Sequence, residues 1–448
     1  MNKYLKYLIV IYGISFSYSQ RVVGYYPSWV QSSYDISQID FGIYTHINHA
    51  FAWPNEEGEI ESDVGLFDIS VTDYVHNQNS KILLSLGGWG HANGFVNATS
   101  SHELRAITIS NILDVIILFG YDGIDIDWEY PQSNEQKNNL NLFIMELDSV
   151  FLSIDPDLLI TMALPTTNWS GQWYDISFLS QYIDFFNAMT YDIHGSWTNH
   201  AGHNSPLFQS PPGDSHGSVE TGIYYLVNSR GIIPEKLNMG IPFWGKQYNA
   251  STINGSFSGN VIDLRYYEIV ELINNGWVEH WDNNAQCPYL IKEDESQIIT
   301  YDNPQSIQAK TNFAQSRNLG GIMVWALGYD SDDSELSLSN MIQSSWLDIQ
   351  KGKNINKISE QILINSYPNP FNSQTQIEFS LPFKSNVQIN IFNILGQNIQ
   401  HLVKDEFTKG THYIQLSQNK LLNNSSGIYF IQITTDQIVK SHKIVYLK

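Results

Sequence analysis

The chain has 448 residues and only one cysteine, Cys287. No intramolecular disulfide can form, so stability must come from a buried core. A lone thiol in this setting reads as inert. Positive charge is scarce: 23 Lys and Arg face 45 Asp and Glu, a net charge of −22. That balance argues against nucleic acid and anionic membrane as partners, because both are polyanions. A neutral substrate remains compatible. Long hydrophobic runs are missing as well. The apolar stretch near the N-terminus is too short for a comfortable bilayer span, and no later segment could span one. Residues 1–19 read instead as a secretory signal peptide. Lys3 and Lys6 form its charged start, residues 8–12 begin the apolar core, and Ser17 and Ser19 offer small residues for cleavage before Gln20. No glycine loop that could cradle a phosphate is evident, so no cofactor is expected.

What is present supports a large folded chain. Hydrophobic residues make up 42% of it, enough for a sizeable core, and the length suits two domains. The most informative stretch is 121–131. Asp125, Asp127 and Glu129 sit two residues apart, with Ile124, Ile126 and Trp128 between or before them. On a β-strand, side chains alternate between faces, so the three acids share one face. Acids turned into a protein interior cost several kcal/mol each, roughly, unless paired or neutralised. Packing gains nothing from them, whereas catalysis by a carboxylic acid of shifted pKa does. A calcium loop is the competing reading. It fits poorly, because an EF-hand has polar residues and a central glycine where this stretch has Ile, Ile and Trp.

The segment from Asp122 to Glu129 resembles the signature of glycoside hydrolase family 18, the chitinases and their relatives. Three other motifs agree in order. Residues 81–89, with Ser85, Gly87, Gly88 and Trp89, resemble the family's third-strand motif. Residues 188–192, with Met189, Tyr191 and Asp192, resemble the sixth, and 321–325, ending in Trp325, the eighth. The resemblance covers about residues 21–346. It implies a (β/α)8 TIM barrel, an α/β fold, with a small α+β insertion between strands seven and eight. The residues alone point the same way. Apolar, β-branched runs recur at 22–26, 45–51, 81–86, 121–128, 158–164, 183–190, 237–243 and 320–326, with amphipathic stretches such as 102–119 and 138–152 between them. The expected catalytic domain is 20–347, with the insertion at 246–298. A plain surface excursion is the alternative for the insertion.

Composition changes after Trp346, the last of 12 tryptophans. From residue 361 there are seven Lys, four acids and no Arg, so the tail is near +3 and the rest near −25. Short alternating strands are expected at 375–380, 387–392, 412–415 and 427–434, which suggests a small all-β sandwich over 363–448 after a linker at 348–362. Residues 367–371, 394–396, 427–430 and 443–448 resemble the C-terminal sorting domain of the Bacteroidetes type IX secretion system. A carbohydrate-binding module is the alternative. Such modules usually display exposed aromatics, often Trp, as sugar platforms, and this tail has no Trp.

The resemblance also implies site residues. Barrel enzymes place chemistry at the carboxyl ends of their strands. Glu129 is the expected general acid, its pKa raised by burial and by neighbouring carboxylates. Asp127 would orient the N–H of a sugar's 2-acetamido group, and Asp125 could share a proton with Asp127. Tyr191 would hold the acetamido oxygen, with Asp192 assisting. By resemblance, that oxygen attacks the anomeric carbon and an oxazolinium ion forms, since family 18 is substrate-assisted. The expected substrate-binding residues are Tyr25, Phe51, Gly88, Trp89, Met189, Trp197 and Trp325, with Trp325 as the floor beneath the sugar; Trp53 also falls near a strand end. Core packing is the competing role for these aromatics. The aromatic content of 13% fits sugar stacking. His91, His194 and His203 show no metal spacing with the acids and read as loop or hydrogen-bonding residues, so no metal is expected. Residues 240–246 depart from the family pattern: Trp244 and Lys246 stand near where relatives usually have Tyr and Arg. The expected function is a secreted chitinase, cleaving β-1,4-linked N-acetylglucosamine, carried through the periplasm to the cell surface or medium by the type IX machinery. A monomer is expected. The alternatives are an endo-β-N-acetylglucosaminidase on N-glycans, which usually lacks the insertion, and a non-catalytic sugar-binding protein, which typically lacks the acid at Glu129.

Overall fold

A computed structural model describes residues 20–348, 363–369, 371–381, 384–393, 397–408, 410–417, 426–435 and 439–448. The expected signal peptide, nearly all of the expected linker and the 394–396 motif lie outside the described residues. The chain divides between Leu347 and Asp348 into two compact units.

The first unit holds fourteen strands: β1 (Arg21–Pro27), β2 (His46–Pro54), β3 (Ile60–Ser62), β4 (Lys81–Gly87), β5 (Gly123–Asp127), β6 (Leu159–Leu164), β7 (Phe185–Ala188), β8 (Leu237–Pro242), β9 (Trp244–Asn249), β10 (Ser258–Arg265), β11 (Trp277–Asp282), β12 (Cys287–Lys292), β13 (Ile298–Thr300) and β14 (Gly321–Trp325). Eight of them pair in parallel in the order β1-β14-β8-β7-β6-β5-β4-β2, and a β1–β2 pairing closes the barrel. These strands are buried on both faces, which is why they read as apolar runs. Helices between the strands have clear ends. Ser101 caps His102–Phe119 by accepting from the Leu104 N–H, and Gly120 closes that helix at φ 74°. Ser133 caps Asn134–Ile154 in the same way.

Register sets the site. Ser85 on β4 pairs with Asp125 on β5, and Asp125 pairs with Thr161 on β6. These three residues therefore lie at one level of the barrel interior, pointing inward.

Between β8 and β14 the chain builds a second, antiparallel sheet in the order β10-β9-β13-β12-β11, with the helix Tyr266–Leu272 following β10. β13 is an inner strand of this second sheet, pairing with β9 and β12, and the helix Pro304–Ser316 leads from it back to β14 of the barrel. A short hairpin, β2 with β3, also extends beyond the barrel.

The second unit has β15 (Leu363–Tyr367), β16 (Gln374–Leu381), β17 (Ser385–Asn393), β18 (Asn398–Phe407), β19 (Gly410–Ser417), β20 (Gly427–Thr434) and β21 (Val439–Tyr446). They form a three-stranded sheet, β15-β16-β19, and a four-stranded sheet, β18-β17-β20-β21, all antiparallel. One apolar core joins the two, with Ile377, Phe379 and Leu416 from the first and Ile389, Ile431 and Ile444 from the second.

Candidate active site

Asp125 lies at the centre of the barrel and is fully buried. Its Oδ1 accepts from Thr161 Oγ1 at 2.6 Å and Asn187 Nδ2 at 3.3 Å. Its Oδ2 accepts from Tyr25 Oη and Ser85 Oγ, both at 2.8 Å. The donors come from β1, β4, β6 and β7. Burial raises its pKa, and these hydrogen bonds oppose the rise. The sequence reading had Asp125 sharing a proton with Asp127. No hydrogen bond joins the two carboxylates, because four donors already occupy the lone pairs of Asp125. The coupling that remains is through charge.

Asp127 ends β5 and is 5% exposed. Its Oδ1 is buried and has no hydrogen-bond partner. Burial first, then Glu129 and Asp125, hold its pKa well above the ordinary range. Glu129 stands just beyond the strand end. Burial pushes its pKa up to about 7, a hydrogen bond with Tyr130 pulls it down, and the charge of Asp192 pushes it up further. The ring of Tyr130 stands edge-on between two exposed tryptophans, Trp89 at 6.4 Å and Trp169 at 6.3 Å.

Two glycines make room for this arrangement. A Cβ at Gly87, where φ is 119°, would lie 2.1 Å from the Asp127 carbonyl oxygen. A Cβ at Gly88 would strike the Phe51 ring at 2.7 Å. The Gly88 N–H donates to the Asp127 carbonyl at 2.9 Å and ties the end of β4 to β5. Any side chain at either position would push the acid strand away.

Tyr191 and Asp192 follow β7. The Tyr191 hydroxyl faces only the Met323 sulfur, at 3.8 Å, a weak acceptor, and its ring packs edge-on against Trp244 at 4.8 Å. Asp192 has φ 55°, and its N–H donates to Asn204 Oδ1 at 3.0 Å. Its Oδ1 is 2.7 Å from the Lys246 ammonium, which also meets Asp263 Oδ1 at 2.8 Å. Lys246 is almost wholly buried and lies over the Trp197 ring at 5.3 Å. Burial favours its neutral form, but the two carboxylates win and raise its pKa.

Tyr25, Phe51, Met189, Tyr191 and Trp325 form one apolar cluster in the barrel. Trp325 stacks on Phe51 at 5.4 Å and meets the edge of Tyr25 at 5.4 Å. Trp29 joins it at 6.1 Å. Trp89 and Trp197 are exposed, at 77% and 59%. Trp53 stacks on His91 at 4.0 Å.

An acid of pKa near 7 beside a buried carboxyl, ringed by exposed aromatic faces, is equipped to protonate a glycosidic oxygen. The comparisons with known proteins agree. Residues 21–330 match the model of the glycosyl hydrolases family 18. The chain belongs to that family. It is a glycoside hydrolase. Residues 365–447 match a secretion system C-terminal sorting domain. Among curated relatives, a probable chitinase 2 of Drosophila melanogaster is 30% identical over 74% of this chain and 75% of its own length. Nod factor hydrolase protein 1 of Medicago truncatula is 30% identical over 71% of this chain and 89% of its own. Among solved structures, the Group IV chitinase of Ostrinia furnacalis in complex with allosamidin aligns with TM-score 0.69 at 27% identity, over 75% of this chain and all of that one.

Within this family 18 site, several residues carried too little sequence signal to be singled out. Tyr130 lay in the acid motif without a role. Lys246 was visible only as a departure from the family pattern. Ser85 stood in the third-strand motif without a role; Thr161 and Asn187 are ordinary polar residues in apolar runs, and a buried polar residue at an inward strand position is the one signal those two gave.

Proposed function

We propose that the protein is a secreted chitinase that cleaves β-1,4-linked N-acetylglucosamine by substrate assistance. Glu129, protonated near neutrality, gives its proton to the glycosidic oxygen as the bond to the anomeric carbon breaks. The acetamido oxygen of the same sugar attacks that carbon and an oxazolinium ion forms. Glu129, now a carboxylate, takes a proton from water, which opens the ring with retention. Asp127 Oδ1 is the observation that carries this reading. A buried carboxylate oxygen without a donor is costly, and the N–H of an acetamido group is a donor of the right kind. The Tyr191 hydroxyl, held only by a sulfur, is free to donate to the acetamido oxygen. Trp325 supplies the apolar floor, and Trp89 and Trp197 supply stacking faces along the chain. Asp125, saturated by four donors, fixes the strand, and its charge disfavours ionisation of Asp127.

The C-terminal unit would then act as the signal read by the type IX secretion machinery and take the enzyme past the outer membrane. Among the described residues no helix is long and apolar enough to cross a membrane.

The test is product analysis on chitin oligosaccharides beside a high-mannose glycoprotein, with the product anomer read by NMR at early times. β-Anomeric chitin oligosaccharides support the reading. Release of the glycan alone would make the enzyme an endo-β-N-acetylglucosaminidase. An α-anomer would exclude oxazolinium chemistry.

A further inference from the structure

The long segment between β7 and the helix Val219–Tyr224 gathers three histidines about one aspartate. His194 Nε2 lies 2.8 Å from Asp214 Oδ2, His200 Nε2 lies 3.0 Å from the same oxygen, and His216 Nδ1 lies 3.0 Å from Oδ1. The four ligand atoms are all within 4.8 Å of one another. The three ring centroids are 4.8 to 5.5 Å apart. The side chains of His194 and Asp214 are 0% and 3% exposed, while His200 and His216 form the outer rim.

Donor accounting at His194 shows what the cluster lacks. Its Nδ1 lies 2.8 Å from the His203 carbonyl oxygen, which can only accept. Its Nε2 faces a carboxylate oxygen, which also accepts. A neutral imidazole has one N–H for these two acceptors. Something positive must therefore stand on the Nε2 side. A proton would satisfy His194, and an N–H donated by each ring would satisfy His200 and His216 one at a time. A single divalent cation accounts for all four groups at once. The Nδ1–H of His194 donated to a backbone carbonyl is the outer contact that fixes the tautomer of a ligating histidine. The Asp214 carboxylate is braced likewise by the His216 N–H at 3.0 Å.

We propose that His194, His200, Asp214 and His216 form a structural zinc site. Three nitrogens and one oxygen suit tetrahedral zinc, with ligand atoms about 2 Å from the metal and thus roughly 3.3 Å from one another. Binding closes the cluster by about 1–1.5 Å at its widest, and the rim residues His200 and His216 can supply that movement. With four protein ligands the site is closed and takes no part in hydrolysis. Its effect is on the loop. His194 follows Asp192 by two residues, so the metal pins the turn that carries Tyr191 and Asp192, and it staples residues 194–200 to 214–216. In sequence, residues 194, 200, 214 and 216 fit no metal-ligand spacing; the fold of the loop brings them together.

The test uses the full secreted chain without an affinity tag. The protein is stripped with a chelator, loaded with zinc, desalted and measured by mass spectrometry for metal, and separately loaded with cobalt. About one zinc per chain is expected, together with a higher melting temperature and the intense visible bands of tetrahedral cobalt. The double variant His200→Ala/His216→Ala changes only rim residues. It should bind less than about a tenth of the wild-type zinc and show no zinc-dependent rise in melting temperature, with an unchanged circular dichroism spectrum. Wild-type protein that keeps no zinc and melts at the same temperature with and without it overturns the proposal. So does a double variant that retains a full equivalent, or cobalt bands of the weak octahedral kind.

Discussion

The two units treat buried charge in opposite ways. The barrel unit buries Arg21, Arg105, Asp125, Asp127, Asp214, Lys246, Asp302 and Lys310. The buried polar side chains of the C-terminal unit, among the described residues, are Ser366, Thr375, Ser385, Asn390 and Thr435, none of them acidic or basic. A small sandwich that serves as a signal needs only a core and a surface. An enzyme must hold ionisable groups away from water to shift their pKa. Within the barrel the contrast sharpens further. Four carboxylates are buried among the described residues. Asp302 is matched by Lys310 at 2.7 Å and Ser306 at 2.6 Å, Asp214 by its histidines, and Asp125 by four donors. Asp127 alone leaves an oxygen without a partner. The structural carboxylates are satisfied internally, and under the proposed function the one that is not is where the substrate's acetamido group would bind.

The largest expected effect breaks the acid itself. Glu129→Gln has no proton to give at neutral pH, so hydrolysis should fall by about 10²–10⁴-fold while oligosaccharide still binds. Stability should move the other way. The folded-state pKa of Glu129, about 7, lies above its ordinary value. The folded state is therefore favoured at low pH, and that advantage is lost as pH rises through 7. Glutamine escapes the loss, so the variant should be more stable than wild type by roughly 2 kcal/mol at pH 8 and indistinguishable near pH 4. Denaturant titration at the two pH values checks this. Activity above a few per cent of wild type would remove Glu129 from the role.

Next comes the unpaired oxygen. If Asp127 accepts from the acetamido N–H, fully deacetylated chitosan should not be cleaved, and a thiazoline analogue of the oxazolinium ion should inhibit. Asp127→Asn removes the charge and replaces one of the two acceptor oxygens by an N–H donor, and it should lower kcat by roughly 10²-fold. The variant should also lose most of its affinity for the thiazoline, as read by calorimetry. Efficient cleavage of chitosan would point to a protein nucleophile instead.

A smaller effect concerns pH. The acid works while protonated, so kcat/KM should fall as pH rises through about 7. Asp192 helps to hold that value up, but its side chain is 46% exposed and water screens it. Asp192→Asn also leaves the Lys246 cation less neutralised, which favours ionised Glu129. The basic limb should therefore move down by a few tenths of a unit. An upward shift would mean that Asp192 does not act on Glu129 through charge.

How much of this was legible beforehand depended on whether the signal was local. The helix expected at 102–119 is found at those residues, because Ser101 and Gly120 mark both ends in sequence. The strand expected at 427–434 likewise matches β20. The edge strand β18 gave no alternating pattern, since none of its side chains is fully buried and it carries Lys404, Asp405 and Glu406 in succession. In the site, the acids were legible because three of them alternate with apolar residues on one strand. The state of Asp125 was not, because its four donors come from four other strands and only barrel register brings them together. Lys246 lies in the inserted sheet, 54 positions from Asp192, and nothing local to either residue announces the ion pair. The same limit hid His200, Asp214 and His216, whose spacing fits no metal motif and whose convergence depends on a loop.

The smallest effect on catalysis should come from removing an entire unit. The acids, Tyr191, Asp192, Lys246 and every aromatic of the site lie before Leu347, and the first unit has its own apolar core, extending to Ile342 and Trp346. The C-terminal unit keeps a separate core of its own. A chain ending near residue 355 should therefore fold and cleave soluble chitin oligosaccharides within about twofold of the full-length rate, with the same melting transition for the barrel. The consequence should fall on location instead. In a host with a type IX system, full-length enzyme should reach the medium or cell surface and the shortened chain should accumulate in the periplasm. Activity measured in both compartments decides it. Normal export of the shortened chain, together with weaker binding to insoluble chitin, would make the C-terminal unit a carbohydrate-binding module. The absence of tryptophan after Trp346 and the sorting-domain match to residues 365–447 both argue for the first outcome.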